Sequence, residues 1–440
     1  MNATHRTKEK WQIMNYEDTL KYIHSFSMFT GKPGTHRIKK FMELLGNPQD
    51  RLKFVHIAGT NGKGSVAAMT ASVLTNAGYK TGMYTSPYII DFRERMQIDF
   101  KMISKEELSR LTIVAKEYAE KFAQTDEPLS EFELITAIAF LWFAKQGCDI
   151  VVLETGLGGK YDATNVIKNP LVSVITSISL DHTKVLGDNT AQIAKEKCGI
   201  IKPNSITVSY PLQEDCVIQV IKSSVEKKNN ILYVGDMHKV YVLESNLEGS
   251  KISYQGMLVH IPLIGRHQIA NGITALETIN ALKSKGYLIS EESIIDGMKN
   301  AKWQGRMEVI ANKPYVIVDG AHNLSGIQAL ARALQDIALN KITVIFGMLE
   351  DKDYLGALET ITPICDQLML ITPNHPRAAA YEKLLPKAKA LCNYVRGFNT
   401  LEEAYKESIS SMGANDTLVI CGSLYIVADA KKCVEKVNSV

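Results

Sequence analysis

Residues 54–65 read FVHIAGTNGKGS, from Phe54 to Ser65. Phe54, Val55, Ile57 and Ala58 form a short apolar run of the kind that makes a buried parallel strand. The run breaks at Gly59. Gly62, Lys63, Gly64 and Ser65 then lead into a helix-favouring stretch, Val66 to Leu74. Strand, glycine-rich turn and helix together make a phosphate cradle. The glycines let backbone N–H groups converge on an anion, and the helix N-terminus adds its positive end. Lys63 supplies a point charge for the outer phosphates. The usual loop is G-x-x-x-x-G-K-[ST]. Here Ile57 stands at the leading glycine position, and Gly64 pushes Ser65 one place along. The loop binds phosphate without being an ordinary GTPase or helicase loop.

The same rhythm continues outward from this loop. Lys80–Tyr84, Ile150–Leu153 and Leu171–Ile178 are further strand-like runs rich in Val and Ile, each followed by glycine, polar residues or a helix pattern. That is the signature of parallel βαβ units covered on both faces. Residues 240–262 alternate polar and apolar and predict short antiparallel strands. Helix patterns follow over about 268–285 and 291–299. From Tyr315 the rhythm restarts with YVIVDGAHN, KITVIFGML, QLMLITPN and TLVICGSL, four more buried-strand candidates. The expected fold is therefore α/β: an N-terminal P-loop domain with a parallel sheet over 16–300, and a smaller C-terminal Rossmann-like domain over 301–440. A short hinge near 299–314 would join them, and residues 1–15 read as a disordered extension.

Bulk composition agrees. A chain of 440 residues exceeds a single ordinary core. Hydrophobic content of 45% and charged content of 22% describe a globular protein, and a net charge of +3 is too small to argue for nucleic acid or a membrane surface. Seven cysteines without a C-x-x-C pair read as reduced thiols of a cytoplasmic protein. The polar, basic N-terminus has no signal-peptide core, and no uncharged apolar run reaches membrane-spanning length.

Two later constellations carry chemistry. In VVLETGLGGKYDATN, Glu154 sits at a strand's C-terminal end, where open α/β sheets place their ligand sites. A carboxylate there beside a phosphate loop points to a hard cation. In SISLDHTKVLG, Asp181 and His182 again follow an apolar strand, and Ser86 follows the second strand in TSP. Three strand ends thus converge on one edge, which favours metal or substrate contact over a purely structural histidine.

The motifs HIAGTNGKGS, YTSP, FRERMQID, FELITAIAF, ETGLGGKYDATN, SISLDHTKVLG, EKCGIIKP, GRHQIANG, WQGRMEV, VDGAHN, GMLEDKDY and CGSLYIV span nearly the whole chain from about Tyr16. In this order they resemble the folylpolyglutamate synthase and dihydrofolate synthase group of the Mur-type amide ligases. The resemblance implies ATP-dependent addition of L-glutamate to a folate through an acyl phosphate, and leaves open whether dihydropteroate is accepted as well. It implies ATP contacts at Thr60, Asn61, Gly62, Lys63, Gly64, Ser65, His267, Gln268, Asn271, Arg306 and Asp319. It further implies two magnesium ions, with Ser86, Glu154 and His182 as ligands, and carbamylation of Lys197. Lys63, His182, Lys197, Arg306, Asp319 and His322 are the catalytic candidates. Arg95 and Ser423 are the glutamate-side candidates, and Phe132, Tyr161 and Asp162 the folate-side ones. Arg93 departs from the family, in which many members carry asparagine there. The resemblance also implies a monomer that binds neither nucleic acid nor membrane.

Several of these residues have plainer readings. Lys197 beside Lys195 fits a charged helix face, Gln268 and Asn271 fit a helix cap, and Asn323 fits an N-cap. At the level of the whole chain, one alternative is a Mur-type ligase acting on a cell-wall UDP-sugar peptide, but the stretch ahead of Gly59 is too short for a UDP-binding domain. The other is a nucleotide switch. That would want an N-K-x-D guanine reader, and Asn312-Lys313-Pro314-Tyr315 lacks the aspartate.

Overall fold

All five residues of β1 (Phe54–Ala58) are buried, because the strand lies inside a sheet covered on both faces. The computed structural model describes residues 14–27, 34–124, 128–337 and 339–438. Residues 1–13, most of the expected N-terminal extension, lie outside these. Asn15 belongs to the fold: its side chain accepts the Asp18 N–H at 2.8 Å and caps the helix Tyr16–His24.

The first sheet adds β2 (Thr81–Tyr84), β3 (Met96–Ile98), β4 (Lys101–Met102), β5 (Ile150–Glu154), β6 (Val172–Ile175), β7 (Ile206–Ser209) and β8 (Ile231–Val234). Its eight strands run in the order β4-β3-β2-β5-β1-β6-β7-β8. All pairings are parallel except β2–β3 and β3–β4. On one face the helix Lys63–Asn76, buried throughout Ser65–Leu74, packs against the helices Arg266–Ser284 and Glu291–Asn300. On the other face the helix Glu131–Gln146 joins a second apolar cluster that includes Phe54, Tyr84 and Phe140.

The polar alternation after residue 240 does form antiparallel strands: β9 (Val240–Asn246), β10 (Gly249–Tyr254) and β11 (Met257–Ile261), in the order β11-β10-β9. The last sheet contains β12 (Glu308–Asn312), β13 (Tyr315–Val318), β14 (Ile342–Phe346), β15 (Gln367–Ile371), β16 (Val395–Phe398) and β17 (Thr417–Cys421). Their order is β12-β13-β17-β14-β15-β16, with only β12 antiparallel. The four apolar runs read from the sequence are β13, β14, β15 and β17, the interior of this sheet. Sequence reading missed β12 and β16. Both are edge strands, mostly half-buried, so neither carries an unbroken apolar run.

Candidate active site

One cavity of about 430 Å³ lies where the C-terminal strand ends of the two parallel sheets face each other. One wall is the loop Gly59–Ser65. Its backbone is tied to the continuation of β6: the N–H groups of Thr60 and Asn61 both donate to the Ser177 carbonyl, at 2.8 and 3.2 Å. Gly62 has φ +85°, and a Cβ there would come within 2.4 Å of the Asn271 side chain, so only glycine serves. The additional glycine, Gly64, has a separate cause. A Cβ at Gly64 would sit 2.4 Å from Cζ2 of Trp303, in the segment that leads to the second sheet.

Lys63 Nζ donates to the Thr60 carbonyl at 3.3 Å and lies 3.8 Å from Glu154 Oε1. Glu154 is buried, and its Oε2 accepts the Ser86 N–H at 3.2 Å. Burial raises its pKa, opposed by Lys63, the Ser86 N–H, Arg306 and Arg95. The Ser65 hydroxyl is buried, faces the cavity wall and has no hydrogen-bond partner among the described residues. An orphaned hydroxyl behind a lysine and a carboxylate fits a magnesium–nucleotide, whose cation takes few protein ligands and completes its shell with waters and phosphate oxygens. Among the described residues no three of His, Cys, Asp and Glu gather tightly enough to hold a metal by themselves, so hydroxyls such as Ser86 would have to contribute.

Lys197 is buried at the end of the helix Thr190–Lys197, and its Nζ donates to the Gly59 carbonyl at 2.7 Å. Burial, reinforced by Lys63, lowers its pKa to about 7 against the pull of Asp181 and Asp162. It therefore faces inward and is not part of a solvated helix face. His182 holds φ +48° and begins a short helix, and burial lowers its pKa. His267, Gln268 and Asn271 line the cavity from the start of the helix Arg266–Ser284. Asn271 Nδ2 donates to Gln268 Oε1 at 3.0 Å, and desolvation, then Arg306, lowers the pKa of His267 to about 4.

The opposite wall carries Arg306, Asp319 and His322. Asp319 follows β13 and accepts the N–H groups of Met307 at 2.8 Å and Ala321 at 2.7 Å. Burial raises its pKa while Arg306 opposes the shift. Asp319 thus locks the turn that presents Arg306.

Contacts across the cleft were invisible in the sequence. Asp181 Oδ1 accepts from Lys352 at 2.5 Å, and its Oδ2 accepts from Asn323 at 3.0 Å and lies 3.6 Å from His322. Burial works against ionisation of Asp181, but His322, Lys352 and His182 outweigh it and hold the carboxyl well below the usual range. Asn61 Nδ2 donates to Ser325 Oγ at 2.7 Å and to Asn323 Oδ1 at 3.3 Å. Asn323 does cap the helix Leu324–Asp336 through the Gly326 N–H, so it caps and bridges at once. Lys352 lies in the quoted stretch GMLEDKDY, yet only its position opposite Asp181 marks it out.

Five substrate candidates fall outside the lining of this cavity: Arg95, Phe132, Tyr161, Asp162 and Ser423. Asp162 is buried and holds its own loop, accepting from the N–H groups of Leu157 and Thr164 and from the Thr164 hydroxyl. Phe132 packs on Gly156, where a Cβ would meet its Cζ at 2.6 Å, and lies 6.0 Å from the Tyr84 ring. Tyr161 is exposed, with Lys160 over its ring. Ser423 is buried and accepts the Tyr425 N–H. Arg95 stacks over Tyr88 and Phe92 and leaves its Nε buried without a hydrogen-bond partner among the described residues. The family departure Arg93 forms an ion pair with Asp91 at 2.7 Å.

The Mur ligase middle domain matches residues 57–279, and the Mur ligase glutamate ligase domain matches residues 305–424. The chain is 37% identical over 432 residues to a dihydrofolate synthase/folylpolyglutamate synthase of Bacillus subtilis, covering 95% of this chain and 98% of that protein. It is 34% identical to a folylpolyglutamate synthase of Lacticaseibacillus casei, with the same coverage. The folylpolyglutamate synthase of Mycobacterium tuberculosis, solved with ADP, superposes with a TM-score of 0.87 at 30% identity, covering 95% of this chain and 97% of that one.

Proposed function

This chain belongs to the folylpolyglutamate synthase/dihydrofolate synthase family of Mur-type ligases, and from that premise we propose how its own residues carry out the reaction. The enzyme is an ATP-dependent ligase that joins glutamate to folates. A carboxylate resists attack by an amine until one oxygen becomes a leaving group. The folate carboxylate therefore attacks the γ-phosphorus of ATP, forming an acyl phosphate and releasing ADP. The amino group of L-glutamate then attacks the acyl carbon, forming the amide and releasing phosphate.

Positioning and charge neutralisation carry most of such a transfer. Thr60 to Ser65 cradle the phosphates, and Lys63 swings from Glu154 onto the outer ones. Arg306, held by the Asp319 turn, meets the charge that develops on the moving phosphoryl group. His267, Gln268 and Asn271 read the base end of the nucleotide. Magnesium, held by Ser86, Glu154 and His182, would neutralise phosphate charge. His322 and Asp319 border the acyl-phosphate side. Arg95 and Ser423 are proposed for glutamate, and Phe132, Tyr161 and Asp162 for the folate, from outside the nucleotide cavity. The reading includes a monomer, since one chain supplies both walls.

The observation that carries this proposal is the single cavity bounded by the phosphate loop on one side and Arg306, Asp319 and His322 on the other. The test is ADP release measured with L-glutamate and either tetrahydrofolate or dihydropteroate, side by side. Turnover dependent on glutamate and on one or both acceptors supports the proposal and decides between one activity and two. ATP turnover indifferent to both substrates would sink it.

Lys197 supports a second element of the same reading. A buried amine whose pKa is lowered to about 7 is substantially deprotonated at neutral pH, and the neutral amine is the form to which carbon dioxide adds. The carbamate keeps one N–H for the Gly59 carbonyl and gains an anion facing the nucleotide. Growth of a carbamate ¹³C resonance with labelled bicarbonate, absent from Lys197→Met, is the expected result.

A further inference from the structure

Outside the cleft, two cysteines of the second domain come together. Cys365 precedes β15 and Cys392 precedes β16, and these strands pair in parallel with Leu368 opposite Val395. Counting back three residues on each strand from that pair reaches Cys365 and Cys392. Both have extended backbones, with φ −110° and ψ 141° at Cys365, and φ −136° and ψ 136° at Cys392. The Leu368 N–H donates to the Tyr394 carbonyl at 2.9 Å, so the pairing continues past the strand ends towards the cysteines. Adjacent strands run about 4.8 Å apart, within the range of about 4.4–6.8 Å between Cα atoms that a disulfide spans. Both side chains pack on the same apolar cluster beneath the sheet. The Cys365 thiol donates to the Thr362 carbonyl at 3.5 Å and the Cys392 thiol to the Tyr394 carbonyl at 3.4 Å, each bond within its own strand's approach.

We infer that Cys365 and Cys392 form a dithiol that low-molecular-weight disulfides such as oxidised glutathione convert to a Cys365–Cys392 disulfide. The Cys392 sulfur attacks one sulfur of the oxidant and expels one glutathione thiolate. The Cys365 sulfur then attacks Cys392 and expels the second. Two protein thiols are oxidised, one glutathione disulfide is reduced to two thiols, and the two protons pass to solvent or to the departing thiolates. Both thiols are half-buried; burial, together with its neighbour, pushes the Cys365 thiol up to about 12, so Cys392 is taken as the first nucleophile. The crosslink pins the edge strand β16 to β15 at the N-terminal ends of the strands, on the side of the sheet away from the nucleotide cavity.

The test is incubation of the full chain with oxidised glutathione, trapping of free thiols with iodoacetamide, and peptide mapping without reduction. Peptides joined through Cys365 and Cys392, separated by dithiothreitol and lost in both Cys365→Ser and Cys392→Ser, are expected. Exposed Cys216 serves as the internal control for a solitary thiol, taking up glutathione as a mixed disulfide. Recovery of both Cys365 and Cys392 as alkylated free thiols would overturn the inference. So would recovery of Cys392 only as a mixed disulfide with glutathione. The wild-type map needs no variant to fold, so the result stands even if a serine variant is unstable.

Discussion

Substituting Gly64 by alanine tests why this phosphate loop carries a glycine after its lysine. The new Cβ would lie 2.4 Å from Cζ2 of Trp303, with two further ring atoms at 2.6 and 2.7 Å. Ordinary contact needs about 3.4 Å, so loop or indole must give by about 1 Å. Trp303 packs against the main core beneath the loop and cannot swing freely, so the loop moves. A misplacement of about 1 Å in a positioning element costs roughly 100-fold in rate, or about 2.7 kcal/mol of transition-state stabilisation. The assay is kcat/KM for ATP, with circular dichroism to confirm folding, in Gly64→Ala, Trp303→Leu and the double variant. Shrinking the indole removes the clash, so the double variant should recover to within a few-fold of Trp303→Leu alone. If the double variant were as impaired as Gly64→Ala, the reasoning would fail, because the glycine would then be required by the ligand or backbone and not by Trp303.

The remaining expectations concern single side chains. Lys63→Ala should abolish ligase turnover with an unchanged circular dichroism spectrum; substantial residual activity contradicts its role on the outer phosphates. Ser65→Ala removes a buried hydroxyl that lacks a partner among the described residues, so the nucleotide-free protein should be unchanged or up to about 1 kcal/mol more stable to urea, while nucleotide affinity by calorimetry falls about tenfold. Asp181→Asn leaves the Lys352 ammonium buried without its acid and should cost about 3 kcal/mol. Urea unfolding should reveal it, with a larger radius of gyration in solution scattering if the two domains part. Because the Asp181 pKa lies below its unfolded value, its contribution is present above the ordinary aspartate range and is lost only as pH falls through the depressed folded pKa. Lys197 has the opposite profile. Between about 7 and the ordinary lysine value of 10.5 the unfolded chain binds the extra proton, so stability from this group rises with pH across that window. Lys197→Met should flatten the rise in thermal midpoint measured across it.

Local rules made much of the architecture legible. A strand that must be buried on both faces needs an unbroken apolar run, so β1, β5, β6 and the four interior strands of the second sheet declared themselves. Edge strands β12 and β16 face solvent on part of their surface and carried no such signal. Among the site residues, those on the loop and at strand ends were legible because phosphate chemistry demands glycines, lysine and acid at set spacings. The five substrate candidates rested on the resemblance and on side-chain chemistry suited to the substrates, and packing shows what two of them do locally: Asp162 holds a turn and Phe132 covers Gly156.

By itself, then, the sequence determined the phosphate loop, its displaced Ser65, the parallel strands and the family, because each depends on neighbours a few residues apart or on the order of motifs. Only the tertiary structure decided that Trp303 sits on Gly64, that Asp181 faces Lys352 across 171 positions of chain, and that Asn61 meets Asn323 across 262. It likewise buried Lys197 against Gly59 and so moved its pKa. The physical reason is common to all of these. Each joins residues far apart in the chain, some within the first sheet's own core and some between the two sheets, and no residue's immediate neighbours encode that geometry.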